Sequence, residues 1–182
     1  MRSLNVRPAT ALGIIVLACA LAVVTSLALA GGLISTGSGK NVSRVIARGS
    51  DGSQSFTTAT SFQDVVGAKA TVKVPPGRQA LVTARFSAES TCVGSGGKGG
   101  PWCSVRIMMG GNQGLPAAEE NYKFDSSDAG DEGAFAWEGH ALERFRTLGP
   151  GKHVVKVQAI PVNGATNFTL ANWAFVVQRS LK

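Results

Sequence analysis

The fold is decided by residues 80–88, whose sequence is ALVTARFSA. Every even-numbered residue of this run is apolar, whereas Thr83, Arg85 and Ser87 make the opposite face largely polar. Successive side chains of a strand point to opposite faces of its sheet, so a period of two is typical of a half-buried strand. The run therefore predicts a β-strand with one face in a core.

The same alternation recurs along the chain and is interrupted by turn residues. It is found in residues 71–74, 103–109 and 153–159. Pro75-Pro76-Gly77 and Gly149-Pro150-Gly151 break it, and Asn163-Gly164 is typical of a two-residue hairpin turn. Strands spaced by such turns predict an all-β fold with two antiparallel sheets packed as a sandwich. We prefer a jelly roll to an immunoglobulin-like sandwich.

Two later segments leave alternatives open. Apolar residues change from even to odd positions between two groups, Phe168 and Leu170, then Trp173, Phe175 and Val177. Either a β-bulge near Ala171 and Asn172 or a strand that crosses between the sheets accounts for this change. Residues 141–148 fit a helical turn or a strand, and the surrounding turns favour a strand.

The N-terminus has the composition of an export segment. Arg2 and Arg7 precede residues 11–30, an uncharged run that predicts an apolar helix. Ala28-Leu29-Ala30 suits signal peptidase, but about twenty apolar residues also span a bilayer. Residues 1–30 are thus predicted to be a signal peptide or an uncleaved membrane anchor. If the segment is uncleaved, we expect it to be the only part of the chain that contacts the membrane. Both alternatives predict a protein outside the cytoplasmic membrane, secreted or in the cell envelope.

The remainder of the chain divides into a spacer and one domain. Residues 31–41 are small and polar, which predicts a flexible spacer. Residues 42–182 are enough for one β-sandwich domain with its own core. The net charge is +7, of which Arg2 and Arg7 of the N-terminal segment contribute two. The other basic residues are scattered over the predicted strands, among them Lys73, Arg85 and Arg106. Because they form no cluster, we expect no nucleic-acid partner.

Two of the three cysteines predict a disulfide. Cys19 lies in the apolar run, which leaves Cys92 and Cys103 as a pair on an exported chain. Oxidising compartments favour such bonds, and a loop this short would stabilise the fold by roughly 2–3 kcal/mol. Two unpaired thiols are the alternative.

An acidic stretch carries the one metal hypothesis. Seven of the 11 acidic residues lie between Glu119 and Glu138. A Ca²⁺ ion needs six to eight oxygen ligands, which a loop bearing closely spaced carboxylates supplies. The candidate ligands are Asp125, Asp128, Asp131 and Glu132. The alternative is a solvated acidic loop, and we expect no other cofactor.

The chain carries no recognisable catalytic motif. His140 lies between Glu138 and Glu143, either of which could orient it, but no serine stands in a Gly-x-Ser-x-Gly elbow. His153 shares the parity of the predicted core residues of its strand and fits a structural role. The sequence therefore favours a protein that is not an enzyme, with a secreted hydrolase as the distant alternative.

Aromatic residues suggest a binding function instead. We expect Trp102 and Tyr122 to be exposed and able to stack on sugar rings. Trp137 and Trp173 stand at alternate positions beside Phe135 and Phe175, which predicts that they belong to the core.

The pattern of strands and turns resembles that of small exported bacterial β-sandwich proteins of unassigned activity. The residues that carry the resemblance are 74–77, 80–90, 102–106, 149–158 and 173–179. The same rhythm is similar to the jelly-roll modules of C1q/TNF-like proteins, and this likeness implies a homotrimer. The predicted function is an exported, non-catalytic domain that binds a surface glycan or a protein. The alternative is an envelope-anchored structural protein with no small ligand.

Overall fold

The computed structural model describes residues 37–57, 59–95, 100–126 and 136–182. The predicted N-terminal helix lies outside the described residues. The strands of the described part are β1 Val42–Ser50, β2 Gln54–Thr57, β3 Gln63–Val74, β4 Ala80–Gly94, β5 Trp102–Met109, β6 Asn112–Gln113, β7 Lys123–Ser126, β8 Glu138–Leu148, β9 Gly151–Val162 and β10 Ala165–Leu181. A single 3₁₀ turn at Glu119–Asn121 is the helical structure of these residues. None of the described segments is a helix long and apolar enough to cross a membrane.

The strands form two antiparallel sheets. The first has the order β1-β10-β4-β8, with β2 also paired to β10. The second has the order β3-β9-β5-β6, with β7 also paired to β5. When the short strands β2 and β6 are left out, eight strands remain. Between consecutive strands of these eight, the chain passes from one sheet to the other at every connection except the one from β5 to β7. This crossing pattern is that of a jelly roll, so the predicted all-β sandwich is confirmed.

The core lies between the sheets and follows the predicted parity. The even-numbered residues of 80–88 are all buried, and Cys103, Val105, Ile107 and Met109 face the same interior from β5. Phe86 is fully buried and its ring lies 6.0 Å from that of Phe124 and 6.2 Å from that of Trp173. Period-two alternation therefore identified the inward faces correctly.

The open alternatives of the sequence are resolved in favour of strands and a bulge. Residues 141–148 belong to β8, which pairs with β4 over its whole length. The pairing of β10 with β4 shifts between Ala171 and Ala174, and Asn172 has a φ of 46°. This bulge changes which side chains face the core. Asn163 and Gly164 form the predicted hairpin turn, with φ values of 51° and 83°.

Candidate functional site

The predicted disulfide joins the two sheets. Cys92 of β4 and Cys103 of β5 are bonded, with their Cα atoms 5.8 Å apart. Both residues are buried among the core side chains. The bond therefore ties one sheet to the other near the ends of these strands, which confirms the pairing predicted from the sequence.

Trp102 is held against the surface of its own sheet. Its indole N–H donates to the backbone carbonyl of Glu120 at 3.0 Å, and the Lys123 ammonium lies 4.8 Å from the ring centroid. Trp102 is half-buried with these two contacts, whereas we expected it to be exposed. Trp102 therefore offers a ligand only part of its ring.

Tyr122 lies in different surroundings, beside β8. Its hydroxyl donates to the carbonyl of Ala141 at 3.4 Å, and the Arg144 guanidinium lies 4.6 Å from the ring centroid. Burial lowers the pKa of Arg144, while the nearby Tyr122 raises it. Tyr122 is half-buried by these contacts. The described contacts of Tyr122 and Trp102 have no residue in common, so the structure does not join them in one aromatic platform.

The prediction for Trp137 was wrong, whereas that for Trp173 is confirmed. Trp137 directly precedes β8 and is 51% exposed, because it stands outside the strand ladder that would turn it inward. Trp173, inside β10, is only 6% exposed.

Asp125 is not part of a solvated loop, as the sequence suggested, but a buried residue of β7. The pairing of β7 with β5 skips Phe124, so that Asp125 lies opposite Cys103 and Lys123 opposite Ser104. This bulge lets two consecutive side chains, Phe124 and Asp125, point into the interior. The other three predicted Ca²⁺ ligands, Asp128, Asp131 and Glu132, lie outside the described residues.

The buried carboxylate of Asp125 meets two side chains of β8. One potential ligand atom from each of Asp125, Glu138 and His140 lies within 4.8 Å of the other two. Glu138 and His140 stand two residues apart and so share a face of β8. Their Oε2 and Nε2 atoms are 3.2 Å apart, and the His140 ring packs 5.5 Å from the Phe124 ring. We call these three residues the carboxylate–imidazole cluster.

The neighbouring serine is arranged to position Asp125. Ser90 is fully buried, and its hydroxyl donates to Asp125 Oδ2 at 2.6 Å. A serine nucleophile must instead be hydrogen-bonded to its base and reachable by substrate. Within the part of the chain that is described, Ser90 and His140 make no such bond. The second histidine, His153, bonds to the carbonyl of Gly149 at 2.8 Å, which fits the structural role predicted for it.

An open cleft lies at the opposite edge of the sandwich, between β1, β3 and β10. Its volume is about 530 Å³. The residues that line it are Arg48, Gly49, Ser50, Val66, Gly67, Lys69 and Trp173. Val66, which is 74% exposed, contributes an apolar surface to the cleft.

Two bulges build this cleft. The pairing of β3 with β9 shifts between Asp64 and Lys69, and the second bulge is the one at Asn172 in β10. Gly67, with a φ of 82°, lies on the Trp173 indole so closely that a Cβ atom there would stand 3.2 Å from Cζ2. The irregular backbone therefore places Gly67 against Trp173, and both residues line the cleft.

The cleft is positively charged. Arg48 and Lys69 are exposed and make no salt bridge or side-chain hydrogen bond with the described residues. The nearby carboxylate of Asp64 is already engaged by the Lys156 ammonium at 2.7 Å and by the Gln158 amide. The hydrogen bond from Lys156 is the main cause of a lowered pKa of Asp64, to which the charge of Lys69 adds a little. Asp64 therefore forms its salt bridge with Lys156 rather than with Arg48 or Lys69, and its carboxylate offsets only part of the Lys69 charge.

Sequence reasoning missed this cleft. Arg48 and Lys69 are 21 positions apart along the chain and meet only through the two-sheet topology. One local signal was present: Gly67 interrupts a strand pattern in which Val65 and Ala68 are buried three residues apart rather than two. An isolated glycine in a strand is typical of a bulge or of a close backbone approach.

Comparisons with known proteins identify no family. No family model and no curated protein sequence matches the chain. Among solved structures, it is similar to the dimeric latent PorU of Porphyromonas gingivalis, with a TM-score of 0.37 and 12% identity over 80% of this chain and 14% of that one. It is also similar to a family 35 carbohydrate binding module of Clostridium thermocellum, with a TM-score of 0.30 and 15% identity over 74% of this chain and 98% of that one. At these values neither likeness bears on function.

Proposed function

We propose that this chain is an exported, non-catalytic binding domain that recognises an anionic surface glycan at the cleft. The observation that carries the proposal is the pair of cations, Arg48 and Lys69, beside the apolar surface of Val66. A sugar bearing carboxylate or sulfate groups presents both anionic groups and C–H faces, so it complements these neighbouring surfaces.

Export is supported by the apolar N-terminal run and by the cysteine pair. Disulfides persist in oxidising compartments and are rare in the cytosol. The bond between Cys92 and Cys103 lies in the core, where its role is structural. A non-catalytic role is supported by the hydroxyl of Ser90, which donates a hydrogen bond to Asp125 rather than to a histidine. The homotrimer stays a prediction.

The proposal is tested by polysaccharide binding to the full chain. We would titrate a sulfated polymer (heparin), a uronate polymer (polygalacturonate) and neutral dextran, each at low and high salt. We expect binding of an anionic polymer that weakens with salt, since exposed charge pairs are screened. Replacement of both cations, Arg48→Gln and Lys69→Gln, should weaken binding about tenfold, equivalent to two exposed ion contacts of about 0.7 kcal/mol each.

Lys73→Gln is the matched control. Lys73 is exposed on the same face of β3 as Lys69 but does not line the cleft, so its replacement removes one positive charge from the same strand, half of what the double variant removes. It should change the affinity by less than about twofold. An equal loss of binding free energy per charge removed in both variants would mean general attraction to a basic protein. Absence of binding to either anionic polymer would overturn the proposal and favour a structural protein without a small ligand.

A further inference from the structure

We propose that the carboxylate–imidazole cluster binds a divalent transition-metal ion of the Zn²⁺ class. The ligands would be Asp125, Glu138 and His140, with Ser90 as the residue that positions Asp125. This site is separate from the cleft and does not depend on the function proposed for it. It also differs from the Ca²⁺ loop expected from the sequence, with which it shares only Asp125.

The first argument is the unbalanced charge of Asp125. This residue is 6% exposed, and Ser90, a neutral donor, is its hydrogen-bond partner among the described residues. No Lys or Arg forms a salt bridge with it within the described chain. Burial of a carboxylate is costly unless a cation or a metal ion compensates it. A divalent ion at the cluster would provide that compensation.

The second argument is the state of the His140 ring. Its Nε2 atom is buried and has no hydrogen-bond partner, although Glu138 Oε2 lies 3.2 Å away. The two atoms are therefore close without the directions that a hydrogen bond requires. Neither atom is therefore occupied by a hydrogen bond to the other, and both are available to a metal ion.

The distances match the size of a zinc site. Zn²⁺ binds imidazole nitrogen and carboxylate oxygen at about 2.0–2.2 Å, so neighbouring ligand atoms of a tetrahedral site are about 3.3–3.6 Å apart. The pair formed by Glu138 and His140 is already close to this separation, at 3.2 Å. The widest separation between two ligand atoms of the cluster is at most 4.8 Å. These atoms would have to approach each other by about 1.4 Å to reach the separation of a tetrahedral zinc site. Glu138 is 53% exposed and so has room to rotate.

The donor set selects the class of ion. One imidazole with two carboxylates suits zinc and its neighbours, whereas Ca²⁺ prefers oxygen ligands alone and more of them. Three protein ligands leave a fourth position for water or for a ligand atom. Asp125 belongs to the second sheet and the other two residues to the first, so the ion would join the sheets at this edge. Metal binding should therefore stabilise the fold.

The test uses the full chain without a histidine tag, treated with a chelator and then titrated with Zn²⁺, Mn²⁺ or Ca²⁺. We expect one Zn²⁺ per chain and weaker binding of Ca²⁺. At a free concentration a hundredfold above the dissociation constant, Zn²⁺ should raise the melting temperature by about 5–11 °C. Glu138→Gln and His140→Gln should each weaken Zn²⁺ binding about tenfold or more.

Glu143→Gln is the matched control, because Glu143 is exposed on the same strand and outside the cluster. It should leave Zn²⁺ affinity unchanged. Glu138→Gln alters an exposed side chain, so it remains informative even where the His140 variant fails to fold. No Zn²⁺ binding, tighter binding of Ca²⁺ than of Zn²⁺, or equal Zn²⁺ affinity in the Glu138, His140 and Glu143 variants would each overturn the proposal.

Discussion

Removal of the disulfide between Cys92 and Cys103 should destabilise the domain by an amount that follows from the length of the loop it closes. The two residues are 11 positions apart. In the chain-entropy model, a cross-link of this span lowers the entropy of the unfolded chain by about 9 cal/mol/K. At 25 °C this corresponds to about 2.8 kcal/mol of stability. For a domain of this size the loss lowers the melting temperature by about 6–11 °C.

The assay compares urea unfolding of the oxidised chain, the reduced chain and the double variant Cys92→Ala/Cys103→Ala. Reduction isolates the cross-link, since it changes no other atom of the core. The double variant should lose somewhat more, because both sulfur atoms are buried and their removal leaves unfilled space. Reductant should not affect the double variant, which controls for any effect of Cys19. If a thiol titration shows that the bond is cut while the urea midpoint stays unchanged, the loop argument is refuted.

Gly67→Ala should cost about 1–3 kcal/mol in urea unfolding, since it combines a φ of 82° with a contact on Trp173. Gly111→Ala is the control: Gly111 has a φ of 87° with nothing within 4 Å, so its replacement costs only backbone strain. Equal losses of stability in the two variants would show that the contact with Trp173 contributes nothing. Asp64→Asn should lower stability at pH 7 by less than about 1 kcal/mol. The pKa of Asp64 is lowered in the folded state, so its contribution is present above about pH 4 and lost as the pH falls further. A difference between wild type and variant that persists in acid would contradict this assignment.

The sandwich could be predicted because its signals are local. Alternation in residues 80–88 requires only that neighbouring side chains face opposite ways, and burial of one face follows. The bulge of β10 was visible for the same reason, since the apolar parity changes near Asn172. The disulfide followed from the small number of cysteines.

The functional geometry could not be predicted because it depends on pairing between distant strands. In the sequence, Asp125 is one of several carboxylates in an acidic stretch. Its burial results from the pairing of β7 with β5 and from the residue that this pairing skips, Phe124. Likewise, Arg48 and Lys69 become neighbours only because β1 and β3 are the edge strands on the same side of the two sheets. Local periodicity contains no information about either arrangement.

The two proposed sites lie at opposite edges of the sandwich, and this separation makes them independent tests. The cleft belongs to β1 and β3, whereas the carboxylate–imidazole cluster belongs to β7 and β8, and no residue contributes to both. Substitutions without shared partners have additive effects to within a few tenths of a kcal/mol. Lys69→Gln should therefore leave Zn²⁺ affinity unchanged, and Glu138→Gln should leave polysaccharide affinity unchanged. Coupling between sites is reciprocal. If the metal ion changed the affinity for the glycan, the glycan would have to change the affinity for the metal ion by the same factor. Equal changes in both directions would show communication between the sites and contradict their independence.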